Sequence, residues 1–209
     1  MGRRRQAYLV VLAVLALVLE PAPRQAPAWT PRLRRLVFDP AAFVPGDLVF
    51  RRGRSLVSDA VLAAEGGGEF THVGLAAVSA GRVWVLHALP PEEGEKGGVV
   101  AEPLESFLAP KKASSGALYR PRDGRAAGVA VATAWNLARR HLPFDDAFDL
   151  TTADKLYCTE LVWRAYLSAG VDLESGIPTP RGKYLLPDRL QQSPQLTFLQ
   201  TFRQETASR

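Results

Sequence analysis

The sequence predicts an α+β domain: a small antiparallel sheet packed against helices, with a cysteine at a helix N-terminus. Three observations carry this. First, two β-rich runs, Phe70–Val78 and Val83–Leu89, are joined by Ser79-Ala80-Gly81-Arg82, which is a hairpin signal. Second, Leu161, Val162, Ala165 and Tyr166 recur at helical spacing directly after Cys158. Third, 209 residues with 47% hydrophobic content are enough for one full core, so one folded domain is expected.

That domain is expected over residues 29–209, behind a secretory signal peptide at 1–28. Arg3, Arg4 and Arg5 precede an uncharged run from Ala7 to Leu19, ended by Glu20, and small residues close the segment at Ala26-Pro27-Ala28. The run is short for a membrane span, which needs roughly 20 apolar residues. If retained as an anchor, it is the one expected link to a membrane. Removing residues 1–28 takes away four arginines and one glutamate, so the formal charge falls from +5 to +2. That mild balance argues for no nucleic-acid partner. Export places the protein in the periplasm or outside the cell. Cys158 is the sole cysteine, so the fold rests on its core rather than on a disulfide framework.

After the signal segment, Trp29–Asp39 reads as surface with solvated arginines. Pro45-Gly46 marks a turn whose backbone Asp47 satisfies, and Leu48–Phe50 is a short buried strand. Ser55 caps an amphipathic helix, Leu56–Ala64, ended by three glycines. Val99–Ala101 and Ala117–Arg120 read as further strands with a helical turn, Pro103–Leu108, between them; Glu102 and Glu105 read as surface charges. Arg125–Arg140 is a helix with Val129, Ala132 and Leu137 on its packed side, and His141 suits its C-terminal end as a structural residue. Pro143–Leu150 is a loop of aromatics and acids. Asp154 is the expected N-cap of the cysteine helix and Gly170 its terminator. Tyr184–Pro187 crosses the core, and the chain ends in a short apolar tail. There is no phosphate-cradling loop and no metal-ligand spacing, so no metal and no cofactor are expected.

The chemistry gathers at three residues. A lone free cysteine is most often a small buried hydrophobe. In the first turn of a helix, however, its thiol meets unpaired N–H groups and the positive end of the dipole, which favour the thiolate. The hairpin supplies a base. With Ala80-Gly81 as the turn, Ser79 faces Arg82 and Gly74 faces His87. His72 and His87 then share one face as diagonal neighbours, roughly 7–8 Å apart at the backbone, and Gly74 leaves room for their rings to meet. A turn one residue longer would put them on opposite faces.

The order Gly46-Asp47-Leu48-Val49, Thr71-His72-Val73-Gly74, Tyr157-Cys158-Thr159-Glu160-Leu161-Val162 resembles the YiiX-type permuted papain-like cysteine hydrolases. These are relatives of the NlpC cell-wall peptidases and of lecithin retinol acyltransferase. The resemblance covers about Phe43 to Gly170. It implies a permuted papain-like fold, with Cys158 as nucleophile, His72 as base and His87 as the residue orienting that base. Tyr157 would assist the oxyanion, and Asp47 is carried as a candidate substrate-binding residue. The expected activity is cleavage of an amide through an acyl-enzyme, in a peptide derived from peptidoglycan. Two alternatives stand beside it: a thiol acyltransferase or lipid esterase acting on an acylated substrate, which the paired histidines support, and a non-catalytic envelope binding protein.

Overall fold

The expected hairpin sits at the centre of the sheet. A computed structural model describes residues 35–55, 58–59, 61, 63, 67–91, 96–178 and 184–204. The expected signal segment at 1–28 lies outside them. Six strands, β1 (Leu48–Gly53), β2 (His72–Ser79), β3 (Arg82–Leu89), β4 (Gly98–Pro103), β5 (Ala113–Pro121) and β6 (Leu196–Phe202), form one sheet in the order β4-β3-β2-β1-β5-β6. Every neighbouring pair is antiparallel. The α-helices lying wholly among the described residues are α1 (Leu104–Phe107), α2 (Ala127–Arg139), α3 (Cys158–Leu167) and α4 (Pro187–Gln191). Among the described residues no helix is long and apolar enough to cross a membrane.

Side chains alternate across the sheet and build two cores. Leu48, Phe50, Val73, Leu75, Leu86 and Ala117 face the cluster that includes α2 and α3. Val49, Ala76, Val83, Val85 and Leu118 face the other, with Leu104 and Phe107 of α1 and Phe202 of β6. Each fully buried Leu or Phe contributes about 1.5–3 kcal/mol of transfer free energy. The β2–β3 register follows from the turn. Ala80 and Gly81 both hold positive φ, 49° and 73°, which matches the strand twist, and Ser79 pairs with Arg82 as expected. Ser55 also caps as expected: its Oγ accepts from Ser58 N at 3.3 Å.

Three expectations are corrected. The packed side of α2 is centred on Ala130, Ala134 and Ala138, with Leu137 half-buried against the core as expected, whereas Ala132 and Val129 are exposed. Small side chains let the helix lie close against its neighbours, so the stripe that packs is the alanine one and not the bulkiest one. The cysteine helix is capped at Tyr157 rather than Asp154, and Tyr157 offers no side-chain cap. Instead Glu160, three residues on, sits in the first turn, where its carboxylate suits the positive helix end. The apolar tail is β6, an edge strand paired to β5 from Gly116↔Phe202 to Pro121↔Leu196.

Candidate active site

The two histidines meet because the hairpin register and a glycine allow it. His72 opens β2 and His87 lies near the end of β3, on the same face. His72 Nε2 lies 2.8 Å from His87 Nδ1, with the rings nearly perpendicular and their centroids 5.1 Å apart. A side chain at Gly74 would come within 2.3 Å of Val85 Cγ1 and 3.1 Å of His87 Cβ. Phe107 of α1 packs on both rings, at centroid distances of 5.7 and 5.0 Å.

Behind the pair stands an acid that the sequence reading took for a surface charge. Glu102 on β4 is only 14% exposed, and its Oε1 lies 3.0 Å from His87 Nε2. At that distance the two atoms are not aligned for a full hydrogen bond. Strand pairing puts His87 opposite Val100 and Val85 opposite Glu102, so Glu102 is the diagonal neighbour of His87. Lys112 Nζ reaches Glu102 Oε2 at 2.5 Å, and Arg51 Nη1 lies 3.7 Å from Oε1. Burial pushes the Glu102 carboxyl up, but its contacts with His87 and Lys112 outweigh that and hold it at about 2. Burial lowers both histidines. His87 falls to about 4 even though Glu102 pulls the other way, and His72 lies well below 6.5, lowered further by Arg51 and by His87. Both rings are therefore neutral near pH 7.

Cys158 is the first residue of α3 and 7% exposed. It approaches β2 from the α3 side of the sheet, whereas the histidine rings lie on the other side. The β2–β3 ladder stops at Leu75↔Leu86. Val73, two residues earlier, therefore has a backbone N–H outside that ladder, and it faces the sulfur together with the N–H groups of Thr159 and Cys158 itself. Those donors favour a thiolate, but burial outweighs them and pushes the thiol up to about 11. The dipole end is present but water is not. Among the described residues no hydrogen bond joins Cys158 to His72; the sulfur sits against the residue that follows His72 on β2.

The other two expected site residues differ from each other. Tyr157 is buried beside Cys158, where its hydroxyl accepts from Leu185 N at 3.2 Å and its ring packs on Phe148 at 5.0 Å. Burial raises its phenol well above the ordinary value. Thr159 Oγ1 donates to Leu185 O, so the cysteine helix grips the expected core-crossing segment twice. Asp47 does not join the site. It sits just before β1, whereas Arg51, the strand partner of His72, lies four residues further along that strand. Both Asp47 carboxylate oxygens accept from Arg120, at 2.7 and 2.8 Å, and Oδ2 also accepts from Val44 N at 2.9 Å. Its role is to close the Pro45-Gly46 turn.

Asp145, in the aromatic loop before Cys158, is fully buried, accepts from Ala147 N and Asp149 N, and pairs with Lys155 at 2.9 Å. It holds its own loop. His141 is exposed, with φ of 50° just past α2, away from the chemistry.

Comparison with known proteins agrees with this fold. The fold is similar to the crystal structure of the metalloprotein yiiX from Escherichia coli O157:H7, with a TM-score of 0.60 and 21% identity over 75% of this chain and 96% of that one. In this chain, among the described residues, no three His, Cys, Asp or Glu side chains converge to hold a metal ion. No curated protein matches the sequence. Residues 42–200 match the family model described as permuted papain-like amidase enzyme, YaeF/YiiX, C92 family; the chain belongs to that family and is a cysteine hydrolase of the amidase type.

Proposed function

We propose that this protein is an exported cysteine hydrolase that cuts an amide bond in a cell-wall peptide, with Cys158 as nucleophile and His72 as base. The observation that carries the reading is the row of polar groups running Glu102, His87 and His72, whose chain neighbour Val73 turns its N–H to the Cys158 sulfur. The row fixes its own protons. Glu102 is ionised, and its Oε1 at 3.0 Å from His87 Nε2 favours the proton on that nitrogen. His87 Nδ1 is then the acceptor for His72 Nε2–H at 2.8 Å. His72 is left with a lone pair on Nδ1. His87 and Glu102 are thus positioning residues, and His72 Nδ1 is the proton acceptor.

The resting thiol and imidazole are both neutral, so proton transfer accompanies attack. His72 Nδ1 takes the Cys158 proton as Sγ bonds to the carbonyl carbon. The C=O electron pair moves onto oxygen, where the N–H groups at the mouth of α3 stabilise it, with Tyr157 alongside. Collapse breaks the C–N bond, and the proton passes from His72 to the leaving amine. Water then loses a proton to His72 and attacks the thioester, and the returning proton restores the thiol. The mechanism requires Cys158 and His72 to come within hydrogen-bond reach as substrate fills the site, since catalytic hydrogen bonds commonly form only on leaving the unliganded state. Export is supported by the basic, apolar and small-residue order of residues 1–28.

The test is product analysis by mass spectrometry on peptidoglycan fragments and on acylated lipids, using wild type, Cys158→Ala and His72→Ala. Cleavage of peptides by wild type alone is expected. Turnover confined to acylated lipids would instead select the acyltransferase or esterase reading. No turnover of either, with binding retained, would leave an envelope binding protein.

A further inference from the structure

A second polar feature lies on the histidine side of the sheet. A cleft of about 660 Å³ opens there, within the size range of small-molecule sites. Arg51, Arg54, Lys96, Lys111 and Lys112 line it, and none of its described lining residues is acidic. The cations come from four separate segments: β1, the turn after it, the β3–β4 connection and the α1–β5 connection. Glu92, Glu93 and Glu95 precede Lys96 in the sequence and lie outside the described residues. Among the described residues, Glu102 is held by two of these cations, Arg51 and Lys112. Arg51 is further fixed by donating to Phe107 O at 2.8 Å and lying 4.3 Å over its ring. Arg54, Lys96 and Lys111 are exposed at the rim. A cleft lined by one sign of charge concentrates ions of the other. It also borders the relay, because Arg51 is the strand partner of His72 and lining residue Val100 that of His87.

We infer that this cleft is an anion subsite that receives the carboxylates of an acidic peptide substrate. Carboxylate is the chemistry its floor already holds in Glu102. Cations spread over four segments suit several spaced carboxylates better than one compact phosphate. The assignment rests on the hydrolase reading for its substrate but not for binding itself.

The experiment is calorimetric titration of the full chain carrying Cys158→Ala with triglutamate, triglutamine and inorganic phosphate. It is repeated in the double variant Arg54→Glu/Lys111→Glu after its melting temperature has been checked. Triglutamate is expected to bind with an affinity that falls as salt rises and drops at least tenfold in the double variant, while triglutamine does not bind. Equal binding of triglutamine, an unchanged affinity in the double variant, or saturation by phosphate but not by triglutamate would each overturn the subsite. Binding that survives Cys158→Ala in a protein whose wild type turns over no peptide leaves the cleft standing without the hydrolase reading. Peptide turnover with the same KM for an acidic peptide in the double variant leaves the reading standing without the cleft.

Discussion

Asp47 and Glu102 are both buried carboxylates that face cations, yet they do opposite work. At Asp47 the bidentate Arg120 fork and the Val44 N–H use both oxygens in good geometry. The acid is saturated, so it fastens a turn and offers nothing to chemistry. At Glu102 three different partners share two oxygens, and the approach to His87 is close but misaligned. That acid has capacity left, and its nearest ring is the one proposed to set the tautomer of the proton acceptor. The degree of saturation, rather than burial or charge, separates a structural acid from a functional one here.

The sharpest way to break the comparison is Glu102→Gln. The amide would donate to His87 Nε2 and reverse the proton order along the row. The expected loss in kcat is about 10²-fold or more, in the range for general acid–base groups. A Glu102→Asp variant should recover part of it, and equal rates for wild type and Glu102→Gln would remove Glu102 from the relay. Next comes Asp47→Ala, which strands Arg120 and the Val44 N–H. Stability should fall by about 2–3 kcal/mol in urea titration, kept below the fully buried figure because Arg120 is partly solvated. The turnover of the folded fraction should stay unchanged.

Acid titration sharpens the contrast further. His87 is lowered to about 4, so below pH 6.5 the unfolded chain takes up a proton that the folded one refuses. Stability therefore falls between pH 6.5 and 4, by about 3 kcal/mol at most for this group. The Glu102 contribution has the same sign in proton terms but a lower window: it is complete above about 4.5 and is lost as pH falls toward 2. Urea midpoints at pH 7, 5.5 and 4 should show the first loss in wild type and in Asp47→Asn alike, and a smaller one in His87→Asn. The smallest effect expected is on thiol reactivity. With the thiol at about 11, alkylation by iodoacetamide without substrate should be slow at pH 7 and climb with pH. A plateau below pH 8 would reveal a resting thiolate–imidazolium pair.

What could be read in advance and what could not divides along the same line. The hairpin was legible because a two-residue turn and strand alternation are local, and together they fix the His72–His87 relationship. The cysteine helix was legible from its 3.6-residue period. Glu102 was missed because its burial is decided by the β3–β4 register, which places it diagonal to His87; aligning Val99-Val100-Ala101-Glu102 against β3 was the signal available. The alanine stripe of α2 was missed because apolar bulk was weighed above close approach. The last strand was missed because most of its side chains stay partly in water, so its alternation is weak.

The sequence alone determined the single thiol, the strand bearing His72, the turn that brings His87 to it, and the order of motifs shared with the permuted papain-like amidases. Backbone preference and short-range periodicity suffice for these, since each needs only neighbours within a few residues. The tertiary structure alone decided that Glu102 stands behind the histidines, that Asp47 is occupied elsewhere, that the thiol is protonated at rest, and that five cations from four segments share one cleft. Those facts depend on which distant groups exclude water from one another, and desolvation is set by the whole packed fold rather than by any stretch of chain.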